Sequence, residues 1–179
     1  MIELLRKRRS IRNYTAETID PATVDLLIEA LLRAPSSRNI NPWEFIIVDD
    51  RTLLSKLSTS KEHGSTFLRD AQLGIVVCAD TTQSDVWIED CSIASILVQM
   101  TALSLGLGSC WIQIRKRHHN AKSSAEEYIQ KLLGLPDHIR VQSIISIGHP
   151  DEEREPLQAD ELEYHKVRHN HHETPWTQS

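Results

Sequence analysis

Ile93-Ala94-Ser95-Ile96-Leu97-Val98-Gln99-Met100-Thr101-Ala102-Leu103-Ser104-Leu105 runs directly into Gly106-Leu107-Gly108-Ser109-Cys110-Trp111-Ile112. The first block closes the longest helical pattern of the chain, which begins at Asp85. It is apolar or small nearly all round. A helix of that kind is buried on most faces, in a core or at a subunit interface. Gly106 and Gly108 end it, and residues 109–114 read as a strand.

Outward from this block, helical and extended patterns alternate. Leu73 to Ala79 and Ile139 to Ile147 are apolar runs of buried-strand type, and Phe45-Ile46-Ile47-Val48 is a shorter one. Asp20-Pro21 opens a helix, with Asp20 as N-cap and Pro21 at the first helical position. Val24, Leu27, Ile28, Leu31 and Leu32 form its apolar face. Asp49-Asp50 stops the first strand and precedes a helix near Arg51. The polar stretch 58–65 reads as loop or lid. Ala125 to Leu133 reads as a helix closed by Gly134, and Ile2 to Arg9 has a short helical pattern. The alternation gives an α/β or α+β class with a mixed sheet.

The chain has 179 residues, a net charge of -5, 40% hydrophobic and 25% charged residues. That describes one ordinary globular domain with a core of its own. The acidic balance argues against nucleic acid as a partner. No apolar run reaches membrane-spanning length and no signal peptide is visible, so the expected compartment is the cytoplasm. Cys78, Cys91 and Cys110 have no metal-type spacing and read as small buried hydrophobes of a reducing compartment. From Asp151 onward the chain is charged and histidine-rich, the composition of an extended tail. Helical spacing would gather His165, His169 and His172 on one face, but no acid or cysteine framework completes a metal site.

Against the acidic background, Arg6, Lys7, Arg8, Arg9 and Arg12 place five cations in the first dozen residues. The order Arg8-Arg9-Ser10-Ile11-Arg12 offers guanidinium forks and a hydroxyl suited to a phosphate monoester. Pro35-Ser36-Ser37-Arg38-Asn39 and Pro42-Trp43 form a rigid polar loop after a helix, with Asn39 able to donate and accept. The Gly106–Ile112 segment is not a dinucleotide fingerprint, because it follows a helix and precedes a strand. No P-loop, GxSxG, HExxH or Cys–His pairing occurs, so any redox or transfer chemistry points to a cofactor.

In this order, the motifs resemble those of the nitroreductase family of FMN-dependent oxidoreductases. Arg8 to Arg12 resembles its phosphate motif, and Ala34-Pro35-Ser36-Ser37-x-Asn39 with Pro42-Trp43-x-Phe45 its second motif. Trp87-x-x-Asp90, the long helix and Gly106 to Ile112 resemble its central section, and Ile144 to Pro150 its last core strand. The resemblance implies an α+β fold with a mixed central sheet flanked by helices, in an intertwined homodimer with two FMN sites at the interface. Residues 1–150 would be the FMN-binding domain and 151–179 a C-terminal arm. Arg8, Arg9 and Ser10 would hold the phosphate and ribityl chain, and Arg12 the pyrimidine edge. Pro35, Ser36, Ser37 and Asn39 would come from the partner subunit. Trp111, Ile112, Gln113 and Ile114 would lie along the ring, and Lys166 and Arg168 are the candidates for closing the phosphate site.

The activity implied is ping-pong hydride transfer from NAD(P)H to a nitroaromatic, quinone or flavin, without a dedicated catalytic side chain. The same fold also suits another flavin reaction, such as reductive dehalogenation or ring oxidation, or a non-catalytic flavin-binding dimer. Two departures from the family pattern stand out: Asn41 where Gln is frequent before Pro-Trp, and Gln113 where Glu or Gly is frequent.

Overall fold

Leu73–Asp80 (β2) and Ile139–Gly148 (β6) are the two inner strands of a four-stranded sheet. Trp43–Val48 (β1) flanks β2, and Gly108–Gln113 (β3) flanks β6. The structure is a computed structural model and describes residues 1–177. The helices are Ile2–Lys7 (α1), Pro21–Leu32 (α2), Arg51–Leu57 (α3), Trp87–Ser104 (α4) and Ala125–Leu133 (α5). A small hairpin, His118–Asn120 (β4) with Ser123–Ser124 (β5), was not legible in the sequence.

The α+β class holds, but the expected mixed sheet does not. Every pairing among the described strands of the four-stranded sheet is antiparallel. Apolar runs buried on both faces favour a parallel sheet as a prior. Here helices cover both faces of an antiparallel sheet, and an apolar run carries no record of strand direction. Alternate residues of β2 and β6 face opposite cores. Ile75, Val77, Ala79, Ile145 and Ile147 pack with α2 and α4. Val76, Cys78, Val141 and Ile144 pack with Leu54 and Leu57 of α3 and Ile129 of α5.

Local chemistry sets the helix ends. The Asp20 carboxylate accepts from the Ala22 N–H at 3.1 Å, and Asp50 accepts from the Leu53 N–H at 2.7 Å. Ser124 and Glu127 form a reciprocal capping box on α5, and Gly134 closes it in the left-handed region. Segment 58–65 is tied down at its ends: Ser58 and Ser65 are buried and the Ser65 hydroxyl donates to the Ser58 carbonyl.

Helix α4 is about 27 Å long at 1.5 Å per residue. One side is buried through Cys91, Ala94, Val98 and Ala102, while Ile93 and Ile96 remain about two-fifths exposed. Among the described residues, no helix is long and apolar enough to cross a membrane. Residues 151–177 form short turns and are mostly exposed. No helical face gathers His165, His169 and His172, because the backbone turns at 164–166 and Arg168 bridges Pro175. Positions 178 and 179 of the expected arm lie outside the described residues.

Candidate functional site

Helix α1 stops at Lys7, and Arg8 is extended, with φ -61° and ψ 122°. From there the chain runs as a strap along the free edge of β3. The Ile11 N–H donates to the Ser109 carbonyl at 3.0 Å, and the Thr15 N–H to the His149 carbonyl at 2.9 Å. The Tyr14 hydroxyl reaches the Ile11 carbonyl at 2.6 Å and the Ser146 hydroxyl at 2.8 Å, deep in the core. Burial pushes the Tyr14 phenol well above its ordinary pKa, so it stays a neutral donor.

Two glycines make room for the strap. Gly108 and Gly148 are register partners on β3 and β6. A Cβ on Gly108 would stand 2.7 Å from Ile11 Cγ2, and one on Gly148 would stand 2.8 Å from the Tyr14 ring. Gly108 and Gly148, one from each sequence motif, therefore serve close approach of the sheet backbone to the strap.

The strap presents its cations together. Arg8, Arg9, Ser10, Arg12 and Arg154 line a basic cavity of about 290 Å3. Among the described residues, Arg8, Arg9 and Arg12 have no carboxylate partner. Arg8, Arg9, Ser10 and Arg154 border room for an anion of phosphate size, and Arg12 borders the same cavity. Arg12 also lies over the Phe67 ring, 5.7 Å from its centre.

Arg154 was missed from the sequence, and so was its tether. One oxygen of Glu152 accepts from the Arg12 N–H at 2.5 Å and the Asn13 N–H at 3.1 Å. The other accepts from Arg154 at 2.7 Å. The Arg12 N–H leads the contacts that hold this carboxyl below the usual carboxylate range. Lys61 and Arg117 also approach from elsewhere in the chain. Burial first, and then the Arg117 charge, push the Lys61 ammonium down. Burial pushes the Cys110 thiol up, with Arg12, Ser10, Lys61 and Arg8 opposing it. Lys166 and Arg168 do not join this cluster within one chain. Lys166 pairs with Glu163, and Arg168 donates to the His165 carbonyl.

Trp111, Ile112, Gln113 and Ile114, at and just beyond the end of β3, separate into two kinds. Ile112 and Ile114 are fully buried in the core. Trp111 and Gln113 remain partly exposed, and their side chains are locked in series. Trp111 Nε1 donates to Gln113 Oε1 at 3.0 Å, and Gln113 Nε2 donates to the Arg115 carbonyl at 3.0 Å.

Pro35, Ser36, Ser37 and Asn39 sit elsewhere. The Ser37 N–H donates at 2.8 Å to Asp90, which is buried near the start of α4. Arg38, Asn39 and Asn41 all have φ near 54°, the left-handed region, braced by a Ser36–Asn41 hydrogen bond of 2.6 Å. Such backbone strain is sustained only when surroundings over-determine it. The strap, by contrast, meets Leu103 and Gly106 at the other end of α4. From Asp90 to Leu103 the helix rises about 20 Å. One chain thus holds its two groups of candidate residues at opposite ends of its longest helix.

The Nitroreductase family profile matches residues 5–60 and 54–149. The chain belongs to the nitroreductase family. An FMN-dependent nitroreductase structure from Clostridium difficile R20291 superposes with a TM-score of 0.94 at 45% identity, covering 96% of this chain and 99% of that chain. A protein of Archaeoglobus fulgidus with the provisional name NADH dehydrogenase/NAD(P)H nitroreductase is 36% identical over 164 residues, 89% of this chain and 91% of that one. FMN reductase [NAD(P)H] of Bacillus subtilis is 30% identical over 171 residues, 84% of this chain and 66% of that protein.

Proposed function

We propose that this nitroreductase-family chain is an FMN-dependent oxidoreductase that takes hydride from NAD(P)H and passes it, in a second half-reaction, to a nitroaromatic, quinone or flavin. The carrying observation is the cavity of Arg8, Arg9, Ser10, Arg12 and Arg154, three of whose guanidinium groups have no carboxylate partner among the described residues. The names of the C. difficile and B. subtilis relatives support the same cofactor.

When bound, FMN supplies reversible two-electron chemistry at its ring. Arg8, Arg9, Ser10 and Arg154 would neutralise its phosphate. Arg12 would stand at the pyrimidine edge and stabilise negative charge there. The rim of Trp111 and Gln113 would border the ring, with Ile112 and Ile114 acting as buried support beneath it. Pro35, Ser36, Ser37 and Asn39 would complete the site from a second copy, since one chain holds them at the far end of α4. The half-exposed Ile93 and Ile96 on α4, and Leu157, Leu162 and Trp176 on the arm, are the apolar surface such a homodimer would cover.

The visible spectrum of the purified protein, before and after anaerobic NADH or NADPH, tests the reading. A flavin spectrum bleached by either donor and restored by menadione supports it. A protein that binds no flavin refutes it, and one whose flavin neither donor reduces refutes the reductase role.

A further inference from the structure

We propose that Glu152 is a positioning residue that makes this site select a phosphorylated flavin, by tying Arg154 to the Arg12–Asn13 backbone and so holding its guanidinium at the basic cavity. The proposal rests on the reading of that cavity as the FMN phosphate site.

A carboxylate is an unexpected neighbour for an anion site. It repels a phosphate, and it neutralises one of the cations that would bind it. Glu152 nevertheless sits among these cations with its side chain only 10% exposed. Its two oxygens divide the work. Oε1 accepts from two consecutive backbone N–H groups of the strap, at 2.5 and 3.1 Å. Oε2 accepts from Nε of Arg154 at 2.7 Å and lies 2.7 Å from its Nη2 as an ion pair. The two segments so joined are 140 residues apart. The join is reinforced nearby, where the Asp151 N–H donates to the Asn13 carbonyl at 2.9 Å and Tyr14 bridges Pro150.

Arg154 is a long side chain at the start of the arm and nearly half exposed. Without a partner it would spread over many rotamers, and ordering it would oppose binding. With Nε and Nη2 committed to Glu152, its guanidinium plane is fixed and its remaining N–H groups are left for the cavity. This raises affinity only for a ligand that carries the phosphate, so riboflavin and FMN should respond differently.

Glu152→Gln separates positioning from charge by sign. Removing a negative charge beside a phosphate strengthens FMN binding if charge is all that matters. Positioning predicts the reverse. An amide cannot accept on both sides, so either the strap N–H groups or Arg154 would face an N–H donor. The apoprotein is titrated with FMN and with riboflavin by flavin fluorescence, alongside Arg154→Met and the double variant. Expected are at least tenfold weaker FMN binding in Glu152→Gln, riboflavin within twofold of wild type, and a double variant little worse than Arg154→Met. Unchanged or tighter FMN binding in Glu152→Gln overturns the proposal, as does equal weakening of both flavins or additive losses in the double variant. If Glu152→Gln does not fold, Arg154→Met decides alone: selective loss of FMN supports the proposal and equal loss of both flavins overturns it. A wild-type protein that binds neither flavin removes the FMN reading itself, and the proposal with it.

Discussion

Gly108→Ala is expected to damage stability and cofactor binding together, through one displacement. The added Cβ would lie 2.7 Å from Ile11 Cγ2 and 2.8 Å from Ile11 Cβ. Carbon atoms rest at about 3.5–4.0 Å, so the strap must retreat by roughly 1 Å. The Ile11 N–H bond to Ser109 is 3.0 Å now and would stretch beyond useful length. Overpacking costs about 1–3 kcal/mol and the lost hydrogen bond about 1 kcal/mol. Together these amount to about 2–4 kcal/mol, or a fall in Tm of roughly 4–16 °C for a chain of this size. The same shift withdraws Arg8, Ser10 and Arg12 from their aligned positions. Loss of one charge-assisted hydrogen bond, at about 1.5–3 kcal/mol, weakens FMN at least tenfold. Thermal unfolding at fixed protomer concentration and FMN titration of the apoprotein read the two effects. Gly106→Ala is the control. Gly106 has φ +79° and open space around its Cβ position, so alanine there strains the backbone without touching Ile11. Wild-type FMN affinity in Gly108→Ala, or an equal loss in Gly106→Ala, would refute the argument that clearance for the strap is what this glycine provides.

Arg12→Ala should lower the two-electron potential of bound FMN by roughly 30 mV, the equivalent of about 1.4 kcal/mol, in a spectroelectrochemical titration; an unchanged potential with FMN still bound removes Arg12 from the ring. Asp90→Ala leaves the Ser37 N–H without its acceptor and should cost about 1–3 kcal/mol in urea unfolding, with no change in m. Hydrogen bonds from Gln83 and Thr82 hold the exposed Asp80 carboxyl down at about 2. A carboxyl depressed in the folded state adds stability above its unfolded pKa, which is lost as pH falls through the folded one. Asp80→Asn should therefore lower stability at neutral pH, leave it little changed below about pH 2, and so flatten the acid-unfolding curve between about pH 4 and 2. Burial raises all three thiols, Cys91 to about 12, so none should react with a thiol reagent at pH 7 until urea unfolds the chain.

Much of the fold was legible because its signals are local. Asp20, Asp50 and Gly134 mark helix ends through their own side chain or backbone freedom, and each acts where its type predicts. The apolar runs at β2 and β6 marked strands buried on both faces. Strand direction was not legible, since Ile144 or Val76 would read the same in a parallel or an antiparallel sheet. The β4–β5 hairpin was missed because it has no apolar alternation, only a turn in which Asn120 accepts from Lys122 and Ser123.

The candidate site divides in the same way. Arg8, Arg9, Ser10 and Arg12 were readable from sequence because they are contiguous, and an arginine cluster in an acidic chain is an anomaly that needs no fold to be seen. Glu152 and Arg154 join them only because β6 lies beside β3 and the chain turns back at Pro150. Lys166 and Arg168, the candidates for the basic end of the family's phosphate site, make their contacts within the arm of their own chain, with Glu163 and the His165 carbonyl. Local sequence was enough to mark a cluster of cations in an acidic chain, a long and largely apolar helix, and the order of family motifs. Tertiary structure decided which distant charges join the basic cavity and that the two groups of candidate residues lie at opposite ends of α4. The physical reason is range: propensity, capping and charge clustering act over a few residues, whereas a binding site depends on backbone paths that only packing of the whole chain specifies.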